Sequence, residues 1–192
     1  MFLLLLPAIV SEAKAETLLR WPLDAHYGYT SWFDHNPVSG AMRRYDGATN
    51  QPRDGHRGTD IRGSGGTTSI RNAAIGTVYF YKGDCPNLPD PSCGNGFGNN
   101  VRVEHATGKV AIYAHLRPFV IAWPNPLYCS NFIWYMGNSG NSDGTHLHLE
   151  MWTDRFASSR IDPFGGPWSN GGFSYWVNQN GAGTGNPSTQ CQ

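Results

Sequence analysis

Two histidines and a glutamate alternate with apolar residues in the segment Thr145–Met151. Successive side chains of a β-strand point to opposite faces, so His146, His148 and Glu150 would share one face while the apolar residues between them point into a core. The two histidines would stand about 7 Å apart along the strand, close enough to address one metal ion. The alternative is that they are ordinary polar residues of a half-exposed strand.

A second segment, Gly55-His56-Arg57-Gly58-Thr59-Asp60, places an imidazole and a carboxylate four positions apart. Its glycines disfavour a helix, but in a loop or at a strand edge both groups can turn toward one ion. Catalytic zinc takes three protein ligands of the His or carboxylate type and leaves a fourth position to water, so His, Asp and His would satisfy it. The alternative is a surface ion pair of these residues with Arg57 or Arg62.

The elements that must position these side chains are predicted to be strands. Val101–His105 and Val110–Leu116 are apolar-alternating runs joined by Ala-Thr-Gly-Lys, which predicts a hairpin with His115 at the end of its second strand. Gly76–Tyr81 and Phe132–Met136 read as further strands, and Leu18–Leu23 and Tyr27–Phe33 look like short extended pieces. Seven or so short strands without helical periodicity predict a mostly β fold: a compact, antiparallel, sandwich-like single domain with long loops flanking a groove.

Length and charge narrow the classes of function. A chain of 192 residues has room for one domain, so the functional groups should converge on one site. Its 14 basic and 14 acidic residues cancel, which removes the electrostatic footprint of a nucleic-acid binder. We expect a monomer with no nucleic-acid partner.

The first residues resemble an export signal. Met1–Val10 is an apolar run, and Ala13 and Ala15 follow in the small-residue pattern that signal peptidase reads. The run has about half the length that a membrane span needs, so we expect no span in the mature protein. The chain is therefore expected to consist of a signal peptide at 1–15, a domain at 16–164 that carries the candidate metal ligands, and a Gly/Asn/Ser-rich, linker-like tail at 165–192. This organisation predicts a secreted protein, extracellular or periplasmic.

Four cysteines fit an oxidising compartment and allow three pairings. Cys85 and Cys93 bracket a Pro-rich stretch, and joining them closes a small loop worth about 2.5 kcal/mol on the chain-entropy model. That leaves Cys129 to pair with Cys191. A zinc site made of the four cysteines is disfavoured because the sequence has no Cys-x-x-Cys pair.

The motifs, taken in order, resemble those of the lysostaphin and LytM type of zinc metallopeptidase. They are His-x-x-x-Asp at 56–60, Tyr-x-His-Leu at 113–116 and His-x-His at 146–148, with Gly-Asn-Ser-Gly at 137–140 among the matching flanks. The resemblance covers roughly residues 29–164. It departs from the family where a Gly-x-x-Val-x-x-Gly stretch is usual, because residues 123–129 read Trp-Pro-Asn-Pro-Leu-Tyr-Cys. The local groove wall is therefore expected to differ.

The resemblance implies one zinc ion per chain, held by His56, Asp60 and His148, with His115 and His146 as catalytic residues beside it. It further implies a secreted zinc metalloendopeptidase that uses zinc-activated water to hydrolyse peptide bonds in bacterial cell-wall peptidoglycan, in stem peptides or cross-bridges. The residues do not decide which histidine is the general base. Nor do they decide whether the bond is Gly-Gly, D-Ala to a diamino acid, or one in a Gly-rich protein.

Two other functions fit parts of the sequence. A non-catalytic relative could bind cell wall or regulate another hydrolase, because a fold can outlast its metal site. A D-alanyl-D-alanine carboxypeptidase of another zinc class could use a similar ligand set, but it would be expected to carry Glu-x-x-His. Glu150 is predicted to make a hydrogen bond that supports a metal ligand, or a salt bridge, rather than to bind the metal itself. His26, His35 and His105 are predicted to be structural or surface residues. Five aromatic residues either line the groove or belong to the core: Trp32, Phe33, Tyr45, Phe97 and Trp152.

Overall fold

Short antiparallel strands make up most of the regular structure. The computed structural model describes residues 16–36, 38, 40–49, 53–64, 66–179 and 186–192, so the predicted signal peptide lies outside the described residues. Nine strands are present in that part of the chain: β1 Tyr29–Ser31, β2 Thr59–Ile61, β3 Ser69–Arg71, β4 Gly76–Lys82, β5 Asn99–His105, β6 Val110–Leu116, β7 Phe132–Tyr135, β8 Leu147–Trp152 and β9 Arg160–Ile161. Helical structure in the described ranges is limited to 3-10 turns at Cys93–Gly96 and Asn170–Gly172. No helix among the described residues is long and apolar enough to cross a membrane.

The main sheet has the strand order β1-β2-β8-β6-β5-β4, with β9 paired to the end of β8. A second, two-stranded sheet is formed by β3 and β7. Every strand pairing is antiparallel. The predicted mostly β, antiparallel single domain is thereby confirmed, as is the β5–β6 hairpin. The short strands β2, β3 and β9 were not predicted.

The two central strands, β6 and β8, are buried on both faces. On one face the main core receives the apolar residues of β8 that the alternation predicted, namely Leu147, Leu149 and Met151. On the other face a smaller cluster is formed by Val110, Ile112, Ala114 and Trp152. This second face is the one that carries the polar side chains of β8, so the site is built on a dry, rigid support.

Part of the segment that composition likened to a linker packs on the core. Trp176 is 2% exposed, and its backbone bridges to Leu19. Its ring lies 5.7 Å from that of Trp21 and 5.3 Å from that of Phe164, measured between centroids. The apolar residues of the segment therefore contribute to the fold, and the predicted domain boundaries remain predictions.

Two disulfides join Cys85 to Cys93 and Cys129 to Cys191, which confirms the predicted pairing. The first closes a local loop that precedes β5. The second ties the end of the chain to the connection between β6 and β7.

The two disulfides should contribute unequally to stability. The cross-linked residues are 8 positions apart in one and 62 apart in the other. On the chain-entropy model the longer loop stabilises by about 4 kcal/mol and the shorter by about 2.5 kcal/mol. We expect the C129S/C191S double variant to lose more free energy of unfolding than C85S/C93S in urea denaturation. Equal losses, or the reverse order, would contradict this account.

Candidate metal centre

Three neighbouring strands bring an acidic and an imidazole side chain together. Asp60 on β2 lies directly opposite His148 on β8, which in turn lies opposite Ala114 on β6. Directly opposed residues of antiparallel strands share a face, with their Cβ atoms about 5 Å apart. Accordingly, Asp60 Oδ1 is 2.7 Å from His148 Nδ1.

His56 reaches the same point from the loop that precedes β2. Its Nδ1 donates to the Trp32 carbonyl at 2.8 Å, which leaves Nε2 to face the carboxylate. This Nε2 lies 3.2 Å from Asp60 Oδ1 and 3.2 Å from His148 Nδ1. The three donor atoms all lie within 4.8 Å of one another.

A β-bulge turns His115 toward the site. Ala114 lies on the site face and Tyr113 on the core face, so regular alternation would direct His115 into the core. Between Tyr113 and Leu116, however, β6 spans three residues where β5 spans two. His115 is the extra residue and has a φ of 60°. Bulges re-aim side chains in this way, and this one places the His115 ring 5.5 Å from that of His148.

His115 and His146 are oriented in the same manner. The Nδ1 of His115 donates to the Ser139 carbonyl at 2.7 Å, and that of His146 donates to the Gly144 carbonyl at 2.7 Å. With Nδ1 protonated, a neutral ring carries its lone pair on Nε2. The two ring centroids are 4.8 Å apart, and His146 Nε2 lies 3.4 Å from Asp60 Oδ1.

Two glycine loops interlock to position the carbonyl that holds His115. A Cβ on Gly98 would lie 2.4 Å from the carbonyl carbon of Ser139, and one on Gly140 would lie 2.3 Å from the Gly98 nitrogen. Ser139 Oγ donates to the Leu116 carbonyl and accepts from the Asn99 N–H. Only glycine permits this approach, which gives a physical reason for the Gly-Asn-Ser-Gly sequence.

Burial strengthens the electrostatic interactions between the titratable side chains of the centre and shifts their pKa values. Burial alone would raise the pKa of Asp60, but its contacts with His146, His148 and His56 outweigh burial and lower the pKa well below the usual range. Burial opposes the charged form of His148, yet the Asp60 and Glu150 carboxylates raise its pKa to about 9. Burial, with the neighbouring His148 and His146, lowers the pKa of His115 to about 3. The carboxylate is thus an anion, and His115 is neutral near pH 7.

The donors His56 Nε2, Asp60 Oδ1 and His148 Nδ1 fit a tetrahedral zinc ion. Two ligands of such an ion lie about 3.3 Å apart when each bond is about 2.0 to 2.1 Å. His56 Nε2 lies 3.2 Å from both His148 Nδ1 and Asp60 Oδ1, and these last two atoms are 2.7 Å apart. Asp60 Oδ2 is buried without a hydrogen-bond partner, a costly state for a carboxylate unless a cation meets its charge. Among the described residues, His115 and His146 are not members of the group whose donors are all mutually close.

Glu150 holds the outer nitrogen of His148. Its Oε1 lies 3.2 Å from His148 Nε2, while Oε2 accepts from Trp152 Nε1 at 2.6 Å and from Arg160 Nε at 3.3 Å. A carboxylate that accepts from the far nitrogen of a histidine fixes the orientation of the nitrogen that faces the metal. Glu150 therefore contacts His148 and pairs with Arg160, interactions of the kind predicted for it from sequence.

A cleft opens over these groups and is lined by three loops at residues 53–57, 95–97 and 141–143, with His115, His148 and Glu150 at its floor. Of the five aromatic residues considered from sequence, Phe97 lines the cleft. Trp32, Tyr45 and Trp152 are buried.

The fold brings together all five predicted site residues and leaves the other histidines elsewhere. His35 pairs with Asp162 at 2.9 Å, His105 contacts the Ile75 carbonyl, and His26 stacks on Trp21. Sequence reasoning did not identify the Trp32 and Ser139 carbonyls, because a backbone acceptor has no residue signature. It also did not identify the ion pair at the mouth of the cleft between Arg53 and Asp143, two residues from loops far apart in the chain.

The sequence and the fold are similar to those of known peptidases. A sequence profile described as peptidase family M23 matches residues 54–163, more than half of the chain. The DD-carboxypeptidase/endopeptidase Mpg of Neisseria meningitidis serogroup B is 36% identical over 97 residues, which cover 50% of this chain and 19% of that protein. Mpg of Neisseria gonorrhoeae matches with the same values. The matched region spans about a fifth of the length of these curated relatives.

Several solved structures share the fold. A zinc containing peptidase from Vibrio cholerae aligns with a TM-score of 0.53 and 22% identity, covering 77% of this chain and 39% of that one. Lysostaphin from Staphylococcus simulans aligns with a TM-score of 0.51 and 18% identity, covering 74% and 51%. A chain of the SpoIIIAH and SpoIIQ complex aligns with a TM-score of 0.54 and 20% identity, covering 76% and 96%.

Gly58 should control how well the centre binds metal. A Cβ at this position would lie 2.6 Å from the Leu149 carbonyl oxygen and 2.8 Å from His148 Cε1. We expect Gly58→Ala to shift His148 and weaken zinc binding about 10- to 100-fold, the usual range for changes that misorient a ligand. Competition with a chromophoric chelator measures this. Gly144→Ala is the matched control, because a Cβ there meets nothing within 4 Å; equal affinities in the two variants would refute the prediction.

Proposed function

This chain belongs to peptidase family M23, and from that premise we propose that it is a zinc metalloendopeptidase acting on bacterial peptidoglycan. Its proposed substrates are peptide bonds in stem peptides or cross-bridges. The observation that carries the proposal is the mutual approach of the His56, Asp60 and His148 donors, with His56 and His148 lining an open cleft. The name of the Neisseria relatives, DD-carboxypeptidase/endopeptidase, supports peptide-bond hydrolysis.

The proposed metal ligands are His56 through Nε2, His148 through Nδ1 and the carboxylate of Asp60. Each histidine has its other nitrogen committed, to the Trp32 carbonyl or to Glu150, so the nitrogens that face the carboxylate are set for binding. Zinc held there would lower the pKa of a bound water to about 7 and polarise the scissile carbonyl.

His115 and His146 are the proposed proton-handling residues. Each donates through Nδ1 to a backbone carbonyl and presents Nε2 toward the centre, where a neutral imidazole can accept the proton of the attacking water. Once protonated, the same nitrogen can donate to the oxyanion or to the leaving amine. Both rings are held by the backbone, so little reorganisation is needed during the reaction. Either histidine can be the general base.

We place this activity outside the cytoplasm, in an exported protein. The two disulfides support the proposal, because such bonds persist in oxidising compartments. The monomeric state remains a prediction.

Substitutions should separate ligands from proton-handling residues. His148→Ala removes one of three protein donors, so zinc content measured by elemental analysis should fall strongly. His115→Ala and His146→Ala should retain zinc while hydrolysis slows about 10²- to 10⁴-fold, the usual contribution of general acid-base catalysis. Loss of zinc in the His146 variant would show that His146, and not His148, is the zinc ligand on this strand. Near-normal hydrolysis in the His115 variant would leave that residue a structural role.

The substrate can be identified from what the protein releases. Purified cell walls with different cross-bridges are incubated with the zinc-loaded protein, and new peptide termini are mapped by mass spectrometry, with His148→Ala as the inactive control. We expect internal bonds of the peptide part to be cut. Cleavage of a Gly-rich protein without cleavage of any wall would overturn the substrate. Binding to walls without zinc and without cleavage would favour a non-catalytic relative.

A further inference from the structure

An arginine lies beside the metal centre at the mouth of the cleft. Arg53 Nη2 donates to Asp143 Oδ1 at 2.6 Å, and Arg53 Nη1 lies 3.9 Å from the second carboxylate oxygen of Asp60. Arg53 and Asp143 belong to two different loops that line the cleft. The guanidinium is thus a fixed positive charge next to the atoms proposed to perform the reaction.

The partner of Arg53 is easily exchanged. The Asp143 side chain is 82% exposed, and exposed ion pairs contribute little to stability. The guanidinium offers several N–H donors in a planar fork that matches a carboxylate in two parallel hydrogen bonds. A carboxylate carried by a ligand could therefore take the place of Asp143 without leaving Arg53 unpaired.

Among the charged residues near the centre, Arg53 is the one placed to bind a carboxylate of a ligand. Glu150, the acid at the cleft floor, is already engaged by His148, Trp152 and Arg160. Arg57 also lines the cleft and is exposed, but no ion pair joins it to the centre among the described residues. Because Arg53 Nη1 lies 3.9 Å from Asp60 Oδ2, a carboxylate bound by the guanidinium would lie close to the proposed metal centre and therefore near the bond being cut.

We propose that Arg53 is a specificity-determining residue that binds a free carboxylate on the substrate residue adjacent to the scissile bond. The substrate class is then a peptide with either a terminal carboxylate or a side-chain carboxylate at that residue. The inference rests on the proposed peptidase function and adds to it a preference for anionic peptides.

Two pairs of synthetic peptides test the preference with zinc-loaded protein. One pair ends in Lys-D-Ala-D-Ala, as the free acid and as the terminal amide. The other joins D-Ala to diaminopimelate, with the carboxylate next to that bond free or amidated. We expect the wild type to prefer the acid of at least one pair by roughly 10- to 100-fold in kcat/KM, as for a hydrogen bond to a charged group. The pair that shows the preference identifies the source of the carboxylate.

Variants assign the preference to Arg53. In Arg53→Gln the acid-to-amide ratio should fall toward one, mainly through a higher KM for the acid, while zinc content is retained. Arg53→Lys should restore part of the ratio, because it returns the charge without the planar fork. Asp143→Asn removes the competing carboxylate and should lower KM for the acid. Arg155→Gln is the matched control, since Arg155 is an exposed arginine paired with Glu104 and not part of the cleft lining.

The possible outcomes distinguish a failure of the Arg53 proposal from a failure of the proposed peptidase function. Hydrolysis of acids and amides at similar rates would overturn the role of Arg53 while leaving the peptidase assignment in place. The role of Arg53 would also be overturned, with the peptidase assignment intact, if Arg57→Gln abolishes the preference for the acid and Arg53→Gln does not. No hydrolysis of any of these peptides or of cell walls would overturn the peptidase assignment itself.

Discussion

The buried carboxylate of Asp60 is the group on which the rest of the centre depends. It is 1% exposed and lies on β2, between β1 and β8 in the main sheet, where an uncompensated charge would be costly. Nitrogens of His56, His146 and His148 surround its Oδ1 at 2.7 to 3.4 Å. Their orientations are set by acceptors outside this group, which are two backbone carbonyls and Glu150. The residues of the centre are therefore coupled, because a change at any of these acceptors would reorient a histidine nitrogen that contacts the Asp60 carboxylate.

The support for this centre is a pair of strands that are buried on both faces. The main core covers one face of β6 and β8, and the cluster containing Ile112, Ala114 and Trp152 covers the other beside the centre. A dry surrounding strengthens each electrostatic contact and makes each unpaired polar group more costly. The lowered pKa of His115 is one consequence, because burial keeps that imidazole neutral beside two other histidines. The same burial keeps the rings in fixed orientations, which suits the proton-handling role proposed for His115 and His146.

The sequence predicts the positions of those site residues that follow the two-residue alternation of a β-strand. Alternation along Thr145–Met151 placed His146, His148 and Glu150 on one face, and the antiparallel register then set Asp60 opposite His148. The position of His115 could not be derived in this way, because alternation directs it into the core and only the bulge, with its positive φ, turns it back. The resemblance to known peptidases supplied what the periodicity could not. Interactions between distant loops also had no local signal, as with Arg53 and its partner 90 residues further along the chain.

The orientation of His56 depends on packing that reaches the C-terminal segment. The Trp32 carbonyl accepts from His56 Nδ1, so the position of Trp32 determines where the opposite nitrogen points. The Trp32 ring stacks on Tyr29 with centroids 3.9 Å apart and meets Phe164 edge-on at 5.1 Å. Phe164 in turn contacts Trp176 at 5.3 Å. Aromatic pairs of this kind stabilise beyond the area they bury, and their geometry is specific. A residue more than a hundred positions from His56 thus helps to hold the backbone that orients it, which ties the composition of the C-terminal segment to the chemistry of the site.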